Sequence, residues 1–318
     1  MDTASDREEM FLQAPVACAF LLLCDQLGVP LDEAVRPPAA LDLAAGAISD
    51  MYPWAGDHEQ RKVAVVERAA RLRHLVPRLL EHPDSSWWFA SLERDRQVWL
   101  GTSRDQMQSI EVPSEAPPPR EYIPQMPPAY FLTATRYGER TAFHSLLAQW
   151  AGDWDPELPL PQADLHVADD ARVFEIRSPQ DWYELADRYA VVPVEQGEPL
   201  SDRQIFPHWT KVAGDWDIVH LSFGGFLLAT FVPIAGPLGS ARLWTWESES
   251  ALWLRPCYSD RIEQEPLVER PRSVFEGVGV RIRYLRTLGG EDARLLERWG
   301  GPRRTKARWK RWWRSRGR

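Results

Sequence analysis

Residues 241–256, ARLWTWESESALWLRP, decide how the chain is read, because apolar alternation and two close carboxylates coincide in them. Read as strand, the stretch repeats every two residues. Trp244, Trp246, Ser248, Ser250, Leu252 and Leu254 fall on one face, and Leu243, Thr245, Glu247, Glu249, Ala251 and Trp253 on the other. Glu247 and Glu249 therefore point the same way. A carboxylate held beside Trp and Leu needs a partner or a function, since burying it alone is costly. The competing reading is a turn between two strands whose polar residues face water.

Upstream of this stretch the chain changes character twice. Met10–Leu27, Leu41–Ser49 and Glu59–Leu80 carry apolar residues at three and four spacing, which predicts helices over most of residues 1–95. Pro77 is expected to kink or end the last of them early. His74 and His82, near that end, read as cap or core residues. Ser85–Leu100 reads as a strand hairpin, or a helix end followed by a strand, and Gln97–Ser103 as a strand running into a small-residue corner. Residues 112–128 contain seven prolines and predict a linker or long surface loop. Ala129–Thr135, Ala171–Ile176, Asp217–Leu221 and Val280–Leu285 read as further strands. Between them lie helices at Arg140–Trp150, Ser178–Tyr189 (Ser178 as N-cap, Pro179 in the first position) and Trp209–Trp216. Gly224-Gly225 is expected to break the chain after Phe223. Helices that do not alternate strictly with strands favour an α+β fold over a doubly wound one. The expected division is a helical region 1–95, an α+β domain 96–290 and a C-terminal helix with a basic tail over 291–318.

Composition narrows the chemistry. A chain of 318 residues with 44% apolar content can bury one large core or two modest ones. Lysine occurs only at 62, 211, 306 and 310 against abundant Arg, Ala and Pro, the imprint of a GC-rich bacterial genome. Cys18, Cys24 and Cys257 are too few and too irregular for a disulfide framework or a zinc site, which points to the reducing cytoplasm. The longest apolar run, Val16–Cys24, follows acidic residues and is too short to span a bilayer, so it reads as a buried helix. Metalloprotease, Walker A and nucleophile-elbow motifs do not occur, and Gly277-Val278-Gly279 lacks the third glycine of a dinucleotide fingerprint. His220, mid-strand, reads as a structural histidine without metal-spaced neighbours.

Glu247-Ser248-Glu249 followed by Ala251-Leu252-Trp253-Leu254 resembles the Glu-x-Glu and apolar strand of ADP-ribosyltransferases, in which the second Glu is catalytic. Gln97–Ser103 resembles the family's first NAD-contacting strand and Ala129–Thr135 its central strand, so the likeness spans roughly residues 95–290. Leu100 stands where the family carries His or Arg, and Leu132-Thr133-Ala134-Thr135 where it carries Ser-Thr-Ser. The resemblance implies NAD as substrate, Glu249 as the catalytic carboxylate and Glu247 as a base toward an acceptor macromolecule. It places Gly101, Thr102, Ser103, Tyr130, Thr133 and Thr135 against the dinucleotide. A second alignment within the family uses Arg172 or Arg177 with Ser222. The chemistry is that of nicotinamide loss: positive charge builds on the ribose, and a preorganised carboxylate stabilises it.

The net charge of −8 conceals a tail, 303–318, with nine basic residues and no acid. Its Trp309, Trp312 and Trp313 make a three-and-four-spaced stripe suited to nucleic acid, to an anionic membrane surface or to the chain's own acidic body. Sixteen tryptophans also sustain an alternative of another class, a non-enzymatic interaction module with a Trp- and Arg-rich surface.

Overall fold

A computed structural model describes residues 4–49, 51, 58–101, 131–149, 158–191, 204–243 and 246–275. The helical start divides more finely than periodicity predicts. Pro15 has no N–H, and Ala14 before it is extended, so the helix expected over 10–27 becomes α1 (Ala4–Gln13) and α2 (Pro15–Leu27). The two are bent by 86°. Ten successive residues of α2, Pro15 to Cys24, are buried, as an apolar run too short for a membrane predicts. Gly28 ends it at φ 63°, a left-handed conformation that glycine adopts without strain, while the Gly28 and Val29 N–H groups donate to the last carbonyls. Among the described residues no single helix is long and apolar enough to cross a membrane.

Next come α3 (Leu31–Ala34), α4 (Ala39–Ser49) and α5 (His58–Ala69), then a 3₁₀ turn over Ala70–Leu75 and α6 (Val76–Leu80), which accommodates Pro77 in its first turn. A second 3₁₀ segment, Pro83–Phe89, is capped by His82, whose Nδ1 accepts from the Asp84 N–H at 3.1 Å.

The sheet strands begin with β1 (Gln97–Leu100), β2 (Phe131–Thr135), β3 (Leu160–Val167) and β4 (Val173–Ile176). A helix α7 (Ala142–Gln149) joins β2 to β3, and α8 (Pro179–Arg188) follows β4. Ser178 caps α8: its Oγ accepts from the Asp181 N–H and donates to the Asp181 carboxylate at 2.9 Å. After the short β5 (Ala190–Val191) and β6 (Phe206–Pro207) come α9 (Trp209–Asp215), β7 (Ile218–Leu221) and α10 (Phe223–Ala229). Here the predicted break at Gly224-Gly225 is a helix. Ser222 accepts from the Gly225 N–H at 3.0 Å and starts it, and the glycines permit close packing. A Cβ on Gly225 would lie 2.1 Å from the Ile176 carbonyl oxygen.

The last described strands are β8 (Pro233–Gly236), β9 (Gly239–Arg242), β10 (Ser250–Trp253) and β11 (Tyr258–Leu267). Seven strands form a sheet in the order β11-β3-β1-β2-β10-β7-β4. Only β4 and β7 pair in parallel among them, so the sheet is mixed and the fold is α+β, as the sequence predicts. β3 and β11 carry no signal read from sequence, and the strand expected at Val280–Leu285 lies outside the described residues. So does the whole proline-rich stretch 112–128.

One face of the sheet, through Ala134, Ile176, Val219, Leu221 and Leu252, joins the same core as α2, α4 and α10. The helices of residues 1–95 thus share a hydrophobic interior with the sheet. The opposite face carries Trp99, Ala163, Leu165, Ala251 and Trp253 in a smaller cluster, interleaved with polar side chains. The far end of the described chain is fastened to this body by Asp42. Wholly buried, it accepts from Arg140 at 2.8 Å and from the Val274 N–H at 2.7 Å.

Candidate functional site

Within 241–256 the strand reading holds at Ala241–Arg242, the end of β9, and over β10, Ser250–Trp253. β9 stops at Arg242 and belongs to a two-stranded hairpin with β8, and residues 246–249 are irregular before β10 begins at Ser250. Glu247 is consequently not on a strand and is half-buried, whereas Glu249 is 1% exposed. The two still border one shallow hollow of about 10 Å³, room for roughly one water, walled by Leu41, Ala44, Ala142 and Phe226. That is below the ~300–1,000 Å³ typical of ligand pockets.

Glu249 sits where the β2–β10 ladder would continue to Thr135. Its side chain takes over the role of a backbone carbonyl. The Thr135 N–H donates to both carboxylate oxygens at 3.2 and 3.3 Å, and the Thr135 hydroxyl donates to Oε1 at 2.8 Å. Gln97, across β1, donates to the Thr135 hydroxyl at 3.1 Å and accepts from the Thr133 hydroxyl at 2.6 Å, which in turn accepts from the Trp253 indole at 2.9 Å. A buried polar chain thus crosses three adjacent strands, and in such a chain each satisfied member supports the next.

On the other side of Glu249 lies a residue read from sequence as merely structural. His220 is 3% exposed on β7, in register with Ala251 of β10 and Glu175 of β4. Its Nδ1–H donates to Glu175 Oε2 at 2.7 Å, and Glu175 Oε1 accepts from the Leu92 N–H at 2.9 Å. Its Nε2 stands 3.5 Å from Glu249 Oε1 without the alignment of a hydrogen bond. Burial pushes the imidazole toward its neutral form, but the hydrogen bond to Glu175, the proximity of Glu249 and both negative charges override it and raise the pKa to about 9. Glu175 shows the converse balance: burial raises its pKa, yet His220, Leu92 and Arg177 bring it below the usual value. Tyr137, following β2, is held well above the ordinary phenol value by burial and by the charge of Glu249.

The other expected site residues divide into those used internally and those outside the described residues. Thr133 and Thr135 are buried, with their hydroxyls engaged within the protein as above. Gly101 closes against Pro161: its N–H donates to the Pro161 carbonyl at 2.9 Å, and a Cβ would lie 2.5 Å from the proline ring. Its missing side chain makes room for that packing. Thr102, Ser103 and Tyr130 lie outside the described residues. In the second alignment, Arg172 forms a two-pronged pair with Asp217 at 3.1 Å on each arm, Arg177 donates to Ser91 at 2.8 Å, and Ser222 is the cap of α10. These three do not converge on Glu249.

The eight described tryptophans, Trp87, Trp88, Trp99, Trp182, Trp209, Trp216, Trp246 and Trp253, are buried or half-buried, which makes them core. Among the described residues no cluster of His, Cys, Asp and Glu is arranged to hold a metal ion. Cys18 and Cys24 are buried and Cys257 is half-buried; burial pushes each thiol up to about 12, so none is poised as a nucleophile. Sequence reasoning missed Glu175 and His220 as members of the site. Their signal was weak but present: each is a lone titratable residue inside an apolar strand. Comparison with family models, curated proteins and solved structures returned no match, so the chemistry of this centre is argued from its geometry alone.

Proposed function

We propose that the protein is a carboxylate-centred enzyme, an NAD-cleaving ADP-ribosyltransferase or NAD glycohydrolase, with Glu249 as the group that stabilises positive charge on the departing ribose. The supporting observation is the placement of Glu249. It stands at the head of β10, beside β2 and one strand from β1, so the three segments that carry the family resemblance are neighbours in one sheet. A carboxylate fixed from one side by Thr135 cannot swing away as charge develops, which is what electrostatic preorganisation requires. Glu247, less buried and on the same concavity, is the base offered to the acceptor.

A second reading has its own supporting observation. The Thr133 and Thr135 hydroxyls are satisfied inside the protein, and the concavity beside Glu249 is small, as expected of a polar network that fixes strand register in a non-enzymatic module. The two readings separate in one experiment. Melting temperature is measured with and without NAD for the wild type and Glu249→Gln, and NAD cleavage is assayed on the same samples. A ligand at about 100 times its dissociation constant adds ~2.7 kcal/mol. Stabilisation of both proteins, with cleavage by the wild type alone, supports the enzyme. No stabilisation and no cleavage leaves the module.

A further inference from the structure

We propose that His220, anchored on Glu175, is the positioning residue of the Glu249 carboxylate, its imidazolium bridging acidic groups delivered by the two strands that flank β7. The inference rests on the reading of Glu249 as the reacting group. Three features of the fold carry it.

First, sheet order places β7 between β10 and β4, and register sets Glu175 directly beside His220. Glu249, two residues before Ala251, falls on the same face by alternation. Second, the anchor is itself fixed: one oxygen of Glu175 holds the imidazole Nδ1–H and the other holds the Leu92 N–H. A ring held at one nitrogen presents the other in a defined direction, the logic by which a buried acid orients a histidine. Third, the nitrogen so presented is wholly buried and stands 3.5 Å from Glu249 Oε1, the same oxygen that accepts from the Thr135 hydroxyl, with His220 coming from β7 and Thr135 from β2 on the other side of β10. Thr135 therefore fixes the direction of the carboxylate, and His220 supplies the positive charge that makes burying it tolerable. Among the described residues an acid this deeply buried would otherwise lack a charged partner.

The other charged groups around the pair are few among the described residues. Arg177 approaches Glu175 at 3.9 Å, and the Tyr137 phenol feels the charge of Glu249. Asp217, with Arg172 and Arg255, lies beyond the opposite end of β7. Glu93 and Arg96 also act on the Tyr137 phenol, and among the described residues His220 is the only cationic side chain in ion-pair reach of Glu249, so loss of its proton removes that pairing. The site then has an alkaline limit set by a residue that need not touch substrate.

The test follows the His220 imidazole nitrogens by NMR from pH 5 to 10 in the wild type, Glu175→Gln and Glu249→Gln, with the pH profile of NAD cleavage in the wild type and Glu175→Gln. In the wild type the ring titrates near 9. Each substitution lowers the midpoint by about 1–3 units, the usual effect of an opposite charge at this range. The alkaline limb of cleavage in Glu175→Gln moves down with it. Glu175→Gln keeps an acceptor for Nδ1–H, so folding is preserved, and Glu249→Gln reports independently. A wild-type midpoint near the ordinary histidine value, or one unmoved by both substitutions, overturns the proposal. If His220 titrates as expected but no NAD is cleaved, the substrate reading fails while the positioning of Glu249 by His220 stands.

Discussion

Replacing Glu249 by leucine asks whether the buried centre holds the fold together or is kept in spite of it. The substitution removes the acceptor of the Thr135 N–H, and an unsatisfied buried donor costs about 1–3 kcal/mol. It also strips one of two anions from the His220 imidazolium. Breaking a buried pair costs roughly 3–5 kcal/mol, and the low end applies because Glu175 remains at 2.7 Å. Leucine returns about 1.5–3 kcal/mol through apolar burial. The expected net loss is about 1–4.5 kcal/mol at pH 7, centred near 3. In a protein of this size each kcal/mol moves the melting temperature by roughly 2–4 °C, so Tm falls by about 5–15 °C. Glu249→Gln keeps a carbonyl for Thr135 and loses less. Thermal and urea denaturation of the three proteins measure the series. An unchanged or raised Tm for Glu249→Leu would refute this assignment of energies, and would mean that the carboxylate is retained at the expense of stability.

Two further outcomes follow from the same geometry. His220 has a folded pKa above its unfolded value of 6.5, so its stabilisation is fully present below about pH 6.5 and is lost as pH rises through about 9. A shift of that size corresponds to on the order of 3 kcal/mol. Glu175 is shifted the opposite way, so its stabilisation is present above its ordinary 4.5 and is lost only as pH falls through its lowered value. Urea unfolding at pH 6.5 and pH 9.5 should show the alkaline loss in the wild type, and a flatter dependence in Glu175→Gln. Gly225→Ala drives a methyl group into the Ile176 carbonyl, which is backbone and cannot rotate aside. The expected cost is about 1–3 kcal/mol or more, against ~1 kcal/mol for Gly28→Ala, where only the left-handed φ is at stake. Equal losses at the two sites would contradict the close packing of α10 on β4.

Local chemistry was legible in the sequence wherever it alone decided the outcome. Ser178 with Asp181 opens α8 as read, and the apolar run Val16–Cys24 is a core helix. Pro15 divides what periodicity joins. Gly224-Gly225 was misread because glycine weakens a helix in isolation, whereas here the Ser222 cap and the approach to β4 decide. β3 and β11 were missed because β11 presents a mostly exposed, polar edge, and pairing, not apolarity, defines it. The candidate site was half visible. Glu249 stood out as an acid among tryptophans, but the partners that make its burial tolerable come from residues 135, 175 and 220. Only sheet order brings those together. Nothing in one dimension places Glu175 beside His220.

The attachment of Val274 to Asp42 sets a practical boundary for handling the protein. Asp42 lies in α4, far from residue 274 in the chain, and its two oxygens are shared between Arg140 and the Val274 N–H. Arg270 donates to the Leu147 carbonyl at 3.3 Å and Gln149 to the Ser273 hydroxyl at 3.2 Å, while Phe275 is buried in the main core. Recombinant versions shortened after Leu267 would keep every sheet strand named above yet uncover Asp42 and leave an aromatic-sized gap in the interior. Trimming for crystallisation, or a fusion partner at this end, should therefore begin no earlier than residue 276.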